Sequence, residues 1–196
     1  MENKSKYNIR KIVKETLNEN FFEDDYFGKA DKKNTISDKL YNLIEKKYSD
    51  SKIVMTEKSN LTFTDKIQTQ KNDTKPKGLW YGIGTSWIDW VRSEMPNWER
   101  NHIFNINIDE SKILKISNEE EIINFNEKYK TEKIPMFSLI IINWEEVAKD
   151  YSGIEISPYL YKMRHDRRVF WYYGWDVASG CIWNKNAIKS IEKIEI

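Results

Sequence analysis

Two segments hold the residue types best suited to chemistry, Lys75–Trp98 and Tyr151–Asn184. In the first, Trp80-Tyr81-Gly82-Ile83-Gly84-Thr85-Ser86-Trp87 combines glycines, hydroxyls and aromatic rings. The glycines permit close backbone approach, the Thr85 and Ser86 hydroxyls with the amides of a helix N-terminus can hold polar or phosphate groups, and the rings can stack on a flat ligand. That set suits a nucleotide. It also suits a strand-to-helix turn with a Trp-rich core face. The glycine spacing matches neither a phosphate-binding P-loop nor a dinucleotide fingerprint.

In the second segment, Tyr172-Tyr173-Gly174-Trp175-Asp176 leads into Ala178-Ser179-Gly180-Cys181. An acid between bulky aromatics can have its pKa raised by burial and serve in proton transfer, or act as a structural hydrogen-bonded Asp. The small residues after it leave space for a ligand or for another part of the chain. Glu155, in Gly153-Ile154-Glu155-Ile156, falls by alternation on the face opposite its Ile neighbours, in a cleft or in solvent. Arg164-His165-Asp166-Arg167-Arg168, with Tyr159, Tyr161 and Trp171 nearby, is a basic and aromatic cluster of the kind that contacts phosphates and stacks bases, or else a solvated loop. His102 and His165 are too few and too far apart in sequence for a metal site, and Cys181 has no second cysteine beside it. As a nucleophile Cys181 needs a neighbouring base such as His165.

The elements that must position these groups follow from periodicity. Ile9, Ile12, Val13 and Leu17 repeat at helical spacing, as do Leu40, Tyr41, Ile44 and Tyr48 behind a Thr35/Asp38 capping box, and FFEDDYFG joins the two. Short β pieces are expected at Lys52–Thr56 and Leu61–Thr64, a loop at Gln68–Lys77, and a strand at Leu79–Ile83 that breaks into a helix capped by Ser86 with Asp89 and stopping before Pro96. Alternation predicts a strand through Phe104, Ile106 and Ile108, and another at Ile113–Ile116. Ser117 and Glu120 are placed to cap a helix bearing Ile122, Phe125 and Tyr129, and Met136–Ile142 reads as a buried strand. Asn143 caps a helix through Trp144, Val147, Ala148 and Tyr151 that Gly153 ends. Beyond it come a strand, a Pro158-led loop, strands near Val169–Tyr173 and Cys181–Trp183, and a closing strand over Ile188–Ile196. Irregular mixing of strands and helices predicts an α+β fold.

All eight Trp and six of the seven Gly lie at or beyond Gly78, while the first residues are rich in Lys, Glu, Asp and Asn. That shift suggests a helical segment over 1–50 and an α+β domain over 51–196. Lys and Arg total 32 against 31 Asp and Glu, so net charge exerts no general pull toward nucleic acid or an anionic membrane, and any such partner needs a local patch. A single cysteine fits a reducing compartment, and neither a signal peptide nor an apolar run of about 18 residues is present, so the expectation is a cytoplasmic protein, in the producing cell or in a host.

From about Leu61 to Glu195 the order of segments resembles a divergent ADP-ribosyltransferase-like domain of phage, viral and bacterial toxin proteins. KPKGLWYGIGTSW, ILKISNEEEIINFNEKY followed by YSGIEI, and GCIWNKNAIKSI carry the resemblance. It implies a split, twisted, mostly antiparallel β core flanked by helices, with NAD as substrate in its cleft. It also implies loss of nicotinamide through an oxocarbenium-like state and transfer to a macromolecular acceptor, protein or nucleic acid. Ser179 occupies the position where the family places its catalytic Glu, and Thr62 and Thr64 stand where its first strand carries His or Arg. The catalytic carboxylate would therefore come from Asp176 or Glu155. Trp80, Tyr81, Thr85 and Ser86 would contact nicotinamide and its ribose, with Arg164 on phosphate. Two other readings fit the same residues: a non-enzymatic nucleic-acid or nucleotide-binding protein, and a protein-interaction module using its N-terminal helices.

Overall fold

The computed structural model describes residues 35–63, 67–132 and 140–196. The helix expected around Ile9 to Leu17 and the FFEDDYFG turn lie outside them. In chain order the elements are α1 (Asp38–Lys47), β1 (Lys52–Thr56), β2 (Asn72–Asp73), β3 (Leu79–Ile83), α2 (Ser86–Glu94), β4 (His102–Ile108), β5 (Ile113–Ile116), α3 (Glu119–Tyr129), β6 (Lys130–Glu132), β7 (Ile140–Asn143), α4 (Trp144–Asp150), β8 (Gly153–Ile156), β9 (Ser179–Ile182) and β10 (Ile188–Ile194). Short 3₁₀ segments punctuate them, the longest being Arg167–Gly174.

The fold is α+β. Seven strands run in the order β10-β4-β1-β3-β9-β8-β5, and β2-β7-β6 form a small second sheet. Every pairing is antiparallel except β5 with β8. The large sheet is curled, and its connectivity requires this. β4 and β5 stand five strand positions apart, about 24 Å in a flat sheet. The chain from Ile108 to Ile113, extended, spans only about 17 Å. The sheet must therefore bend until its ends approach.

Alternation then sorts the side chains onto two faces. Inside the curl lie Val54, Tyr81, Phe104, Ile106, Ile108, Ile113 and Ile182. On the outer face, Ile116, Ile154, Ile156 and Cys181 pack beneath α3, α4 and the Arg167–Gly174 segment through Phe125, Trp144 and Trp171, joined by Trp175 and Trp183. At the other end, Leu40 and Ile44 of α1 cover Ile53, Ile88, Ile103 and Ile194. Thus α1 belongs to the same compact unit as the sheet, Lys32–Ile196.

Several local expectations change. The α1 cap is Ser37, whose Oγ accepts the Leu40 N–H at 3.3 Å, in place of the Thr35/Asp38 box. Asn118 caps α3 by accepting from Glu121 N, and the Glu121 carboxylate reaches back to Ser117 N, so the box sits one residue later than spacing suggests. Residues 61–63 are not strand, and the Gln68–Lys77 loop contains β2. Of the strand read at Met136–Ile142, residues 136–139 lie outside the described residues, and β7 covers the rest. Val169–Tyr173 is not a strand. Asp166 accepts the Arg168 N–H at 2.9 Å and starts a 3₁₀ path that kinks at Val169, turning Val169, Trp171 and Tyr172 inward. β-Branched and aromatic content imitates a buried strand, and the capping Asp decides otherwise.

Candidate functional site

The residues singled out by sequence separate onto the two faces of the sheet. Adjacent Trp80 and Tyr81 point to opposite sides of β3, so they cannot flank one ring.

On the inner face, Tyr81 crosses β9 and donates from its hydroxyl to Glu155 Oε2 at 3.0 Å. Tyr81 is 3% exposed and Glu155 7%. Gly180, aligned with both Tyr81 and Glu155, makes the crossing possible, because a Cβ there would overlap the Tyr81 ring. Space left by the small residue is filled by this chain's own tyrosine. Glu155 also has Lys52 at 3.8 Å and Lys115 at 3.6 Å, and both lysines bond Glu110 at 2.7 Å. Burial and then the Glu155 charge push the Tyr81 phenol far above its usual pKa. Burial raises the Glu110 pKa, but hydrogen bonds from Lys115 and Lys52 outweigh it and hold the carboxyl below the usual range. The outcome is a closed ionic network at one mouth of the curl, beside an open polar hollow of about 320 Å³ lined by Asp50, Lys52, Asn107, Glu110 and Lys189.

On the outer face Arg164 and Asp176 meet, and Trp80 adjoins them by way of Trp175. Arg164 Nη2 bonds Asp176 Oδ1 at 2.8 Å, with side-chain exposures of 12% and 19%. The guanidinium lies over Tyr173, 5.3 Å from the ring centroid. Trp175 meets Trp80 edge to face at 4.9 Å, and Lys75 stands 5.7 Å over Trp80. The Tyr159 hydroxyl donates to the Trp175 carbonyl at 2.8 Å. Burial raises the Tyr159 pKa, with Arg164 opposing it. These groups form an aromatic and cationic nest around one partly exposed carboxylate.

Four tryptophans are fully buried, and three of their indole N–H groups have acceptors: Trp144 on Asp73 O, Trp171 on Asn126 Oδ1 and Trp183 on Tyr151 O. Trp175 Nε1 has none among the described residues, and neither does the buried Nε of Arg164. An unmatched buried donor is costly. Two belong to this nest.

The remaining candidates serve the scaffold. Ser86 Oγ accepts the Ile83 N–H at 3.1 Å and donates to Ala178 O at 2.9 Å, tying the β3–α2 turn to the chain entering β9. It is the first residue of α2. Thr85 holds the cap position without a side-chain capping bond, and Asp89 accepts from Tyr41 Oη at 2.8 Å, so the expected Ser86/Asp89 box does not form. Gly84 supplies the turn at φ 54°. Ser179 is buried and donates to Val177 O at 3.0 Å. Cys181 is buried, and burial drives its thiol pKa well up, which removes it as a nucleophile.

No protein-family model, curated protein or solved structure matches this chain.

Sequence reasoning missed the Lys52–Glu110–Lys115 surround of Glu155, because the β5–β8 register places Lys115 opposite Glu155 and the curl brings Lys52 of β1 toward both. It also missed Lys75 and Tyr173 as neighbours of Trp80 and Arg164. Among the described residues no group of three or more His, Cys, Asp or Glu side chains is placed to hold a metal ion, and no helix is long and apolar enough to cross a membrane.

Proposed function

We propose that the chain binds NAD in the outer-face nest and transfers its ADP-ribosyl group to a macromolecular acceptor, with Asp176 as the working carboxylate. The observation that carries this reading is the convergence of Trp80, Arg164 and Asp176 with Lys75, Tyr173 and Trp175. A dinucleotide needs cations for its phosphates, ring faces for its bases, and a carboxylate with donors around its ribose and amide oxygens. The nest contains each. Arg164 and Lys75 supply positive charge and donors, and Trp80 and Tyr173 supply rings.

Bound NAD provides the ADP-ribosyl group by releasing nicotinamide. Arg164 holds the Asp176 side chain in one orientation, and partial exposure lets that carboxylate reach a ribose hydroxyl or take a proton from an acceptor. Glu155 is the poorer candidate, since Tyr81 and two lysines already surround its oxygens. It is assigned to the scaffold.

The test is nicotinamide release from labelled NAD by the full chain. Asp176→Asn should lower the rate by about 100-fold or more, in the range for loss of a general base. Glu155→Gln should reduce stability while turnover per folded molecule persists. No nicotinamide from wild type, or full activity in Asp176→Asn, refutes the proposal.

A further inference from the structure

The nest is bordered by a row of rings. Tyr159 meets Tyr161 at 6.5 Å, Tyr161 meets His165 at 5.9 Å and His165 meets Tyr173 at 6.2 Å, each edge to face with 69° to 75° between planes, while Tyr173 stacks on Phe170 at 6.1 Å with 6° between planes. The last contact follows from the 3₁₀ path, in which residues three apart eclipse. Tyr161, at 67% exposure, is among the few large hydrophobic side chains of the described residues left in solvent, and His165 and Arg167 are exposed beside it. Arg168 is held by Asp166 through three contacts of 2.6 to 3.1 Å, and Lys162 lies 3.8 Å from Glu119. Arg167 is therefore the cation of this segment best able to meet a new anion.

We infer that this row is a platform for single-stranded nucleic acid, which supplies the acceptor. Rings about 6 Å apart and turned nearly perpendicular to one another offer separate faces and edges to unstacked bases, every base offers a π face, and an exposed arginine alongside suits the phosphates. A duplex keeps its bases stacked on each other and cannot use the rings. Tyr173 belongs to both the row and the nest, so a strand lying on the rings runs up to Asp176. That the strand is the acceptor rests on the transferase reading; that it binds here does not.

The experiment uses the full chain without NAD and a fluorescein-labelled mixed-sequence oligonucleotide of about twelve residues, as RNA and as DNA, read by anisotropy. Binding should weaken steeply between about 50 and 200 mM salt. Tyr161→Ala should weaken it about tenfold, and Arg167→Ala should flatten the log–log salt slope by about one. Both side chains are exposed, so neither change threatens the fold. No binding at low salt, Tyr161→Ala equal to wild type, or a duplex of the same length binding equally well overturns the inference. Labelled ADP-ribose found on protein alone overturns the assignment of the acceptor. Strand binding that persists when nicotinamide release is absent leaves the platform standing and removes only the transferase.

Discussion

Gly180→Ala isolates the contact that closes the inner face of the sheet. The added methyl would overlap Cζ and Oη of Tyr81 and lie 2.7 Å from the Ile154 carbonyl oxygen, well inside the 3.5–4.0 Å or so of ordinary contact. Ile154 belongs to the β8–β9 ladder and cannot retreat, so the Tyr81 ring must move. Overpacking of this kind costs about 1–3 kcal/mol. Displacing the ring also breaks the buried bond to Glu155, worth about 1.5–3 kcal/mol for a charged acceptor. Alanine restricts the unfolded chain and returns about 0.4–1 kcal/mol. The expected net loss is roughly 2–5 kcal/mol, read as a lower urea midpoint at unchanged slope by tryptophan fluorescence. The cycle with Tyr81 separates the terms. In Tyr81→Phe the ring still blocks the methyl, so Gly180→Ala stays costly. In Tyr81→Ala the block is gone, and the cost should fall by at least about 1 kcal/mol. A wild-type cost under about 1 kcal/mol, or an equal cost in all three backgrounds, refutes the reasoning.

Ser86→Ala removes a hydroxyl bonded to both Ile83 N and Ala178 O, and should cost about 1 kcal/mol in urea unfolding, while amide exchange at Ile83 stays slow because its N–H also donates directly to Ala178 O at 3.0 Å. Tyr81 also predicts an alkaline transition. Its folded pKa is raised above the ordinary value of 10.0, so the protonated phenol stabilises the fold fully below pH 10 and that contribution is lost as pH rises further. Stability measured from pH 8 to 11 should turn down near 10, and Tyr81→Phe should be less stable at neutral pH but lose less on going alkaline.

Several elements whose limits depend on immediate neighbours in sequence are legible there. β1, β3 and β5 have the expected limits, α2 ends at Glu94 before Pro96, and Asn143 caps α4 by accepting from Glu146 N. The mostly antiparallel α+β class was likewise legible. Caps at Ser37 and Asn118 moved by one or two positions because several adjacent Ser, Thr, Asn or Asp residues can each perform the role, and packing of the apolar stripe chooses among them. At the site, types were legible and grouping was not. Alternation along β3 already puts Trp80 and Tyr81 on opposite faces, but nothing local says that Arg164 and Asp176 meet, or that Gly180 is small for the sake of a tyrosine two strands from Glu155.

The strand order also governs how the protein can be made. β9 lies between β3 and β8, yet it follows both in sequence, and β10 pairs with β4 from still further on. During synthesis from the N-terminus, β10's partner β4 and the β1–β3 pair emerge as one piece, and β5 with β8 as another, with no strand to join them until residues 179–182 leave the ribosome. Until then both pieces present open edges that invite pairing with other chains. A nascent chain stalled before Ser179 should be a substrate for chaperones and proteases, and emergence through Ile194 should release it as a finished sheet.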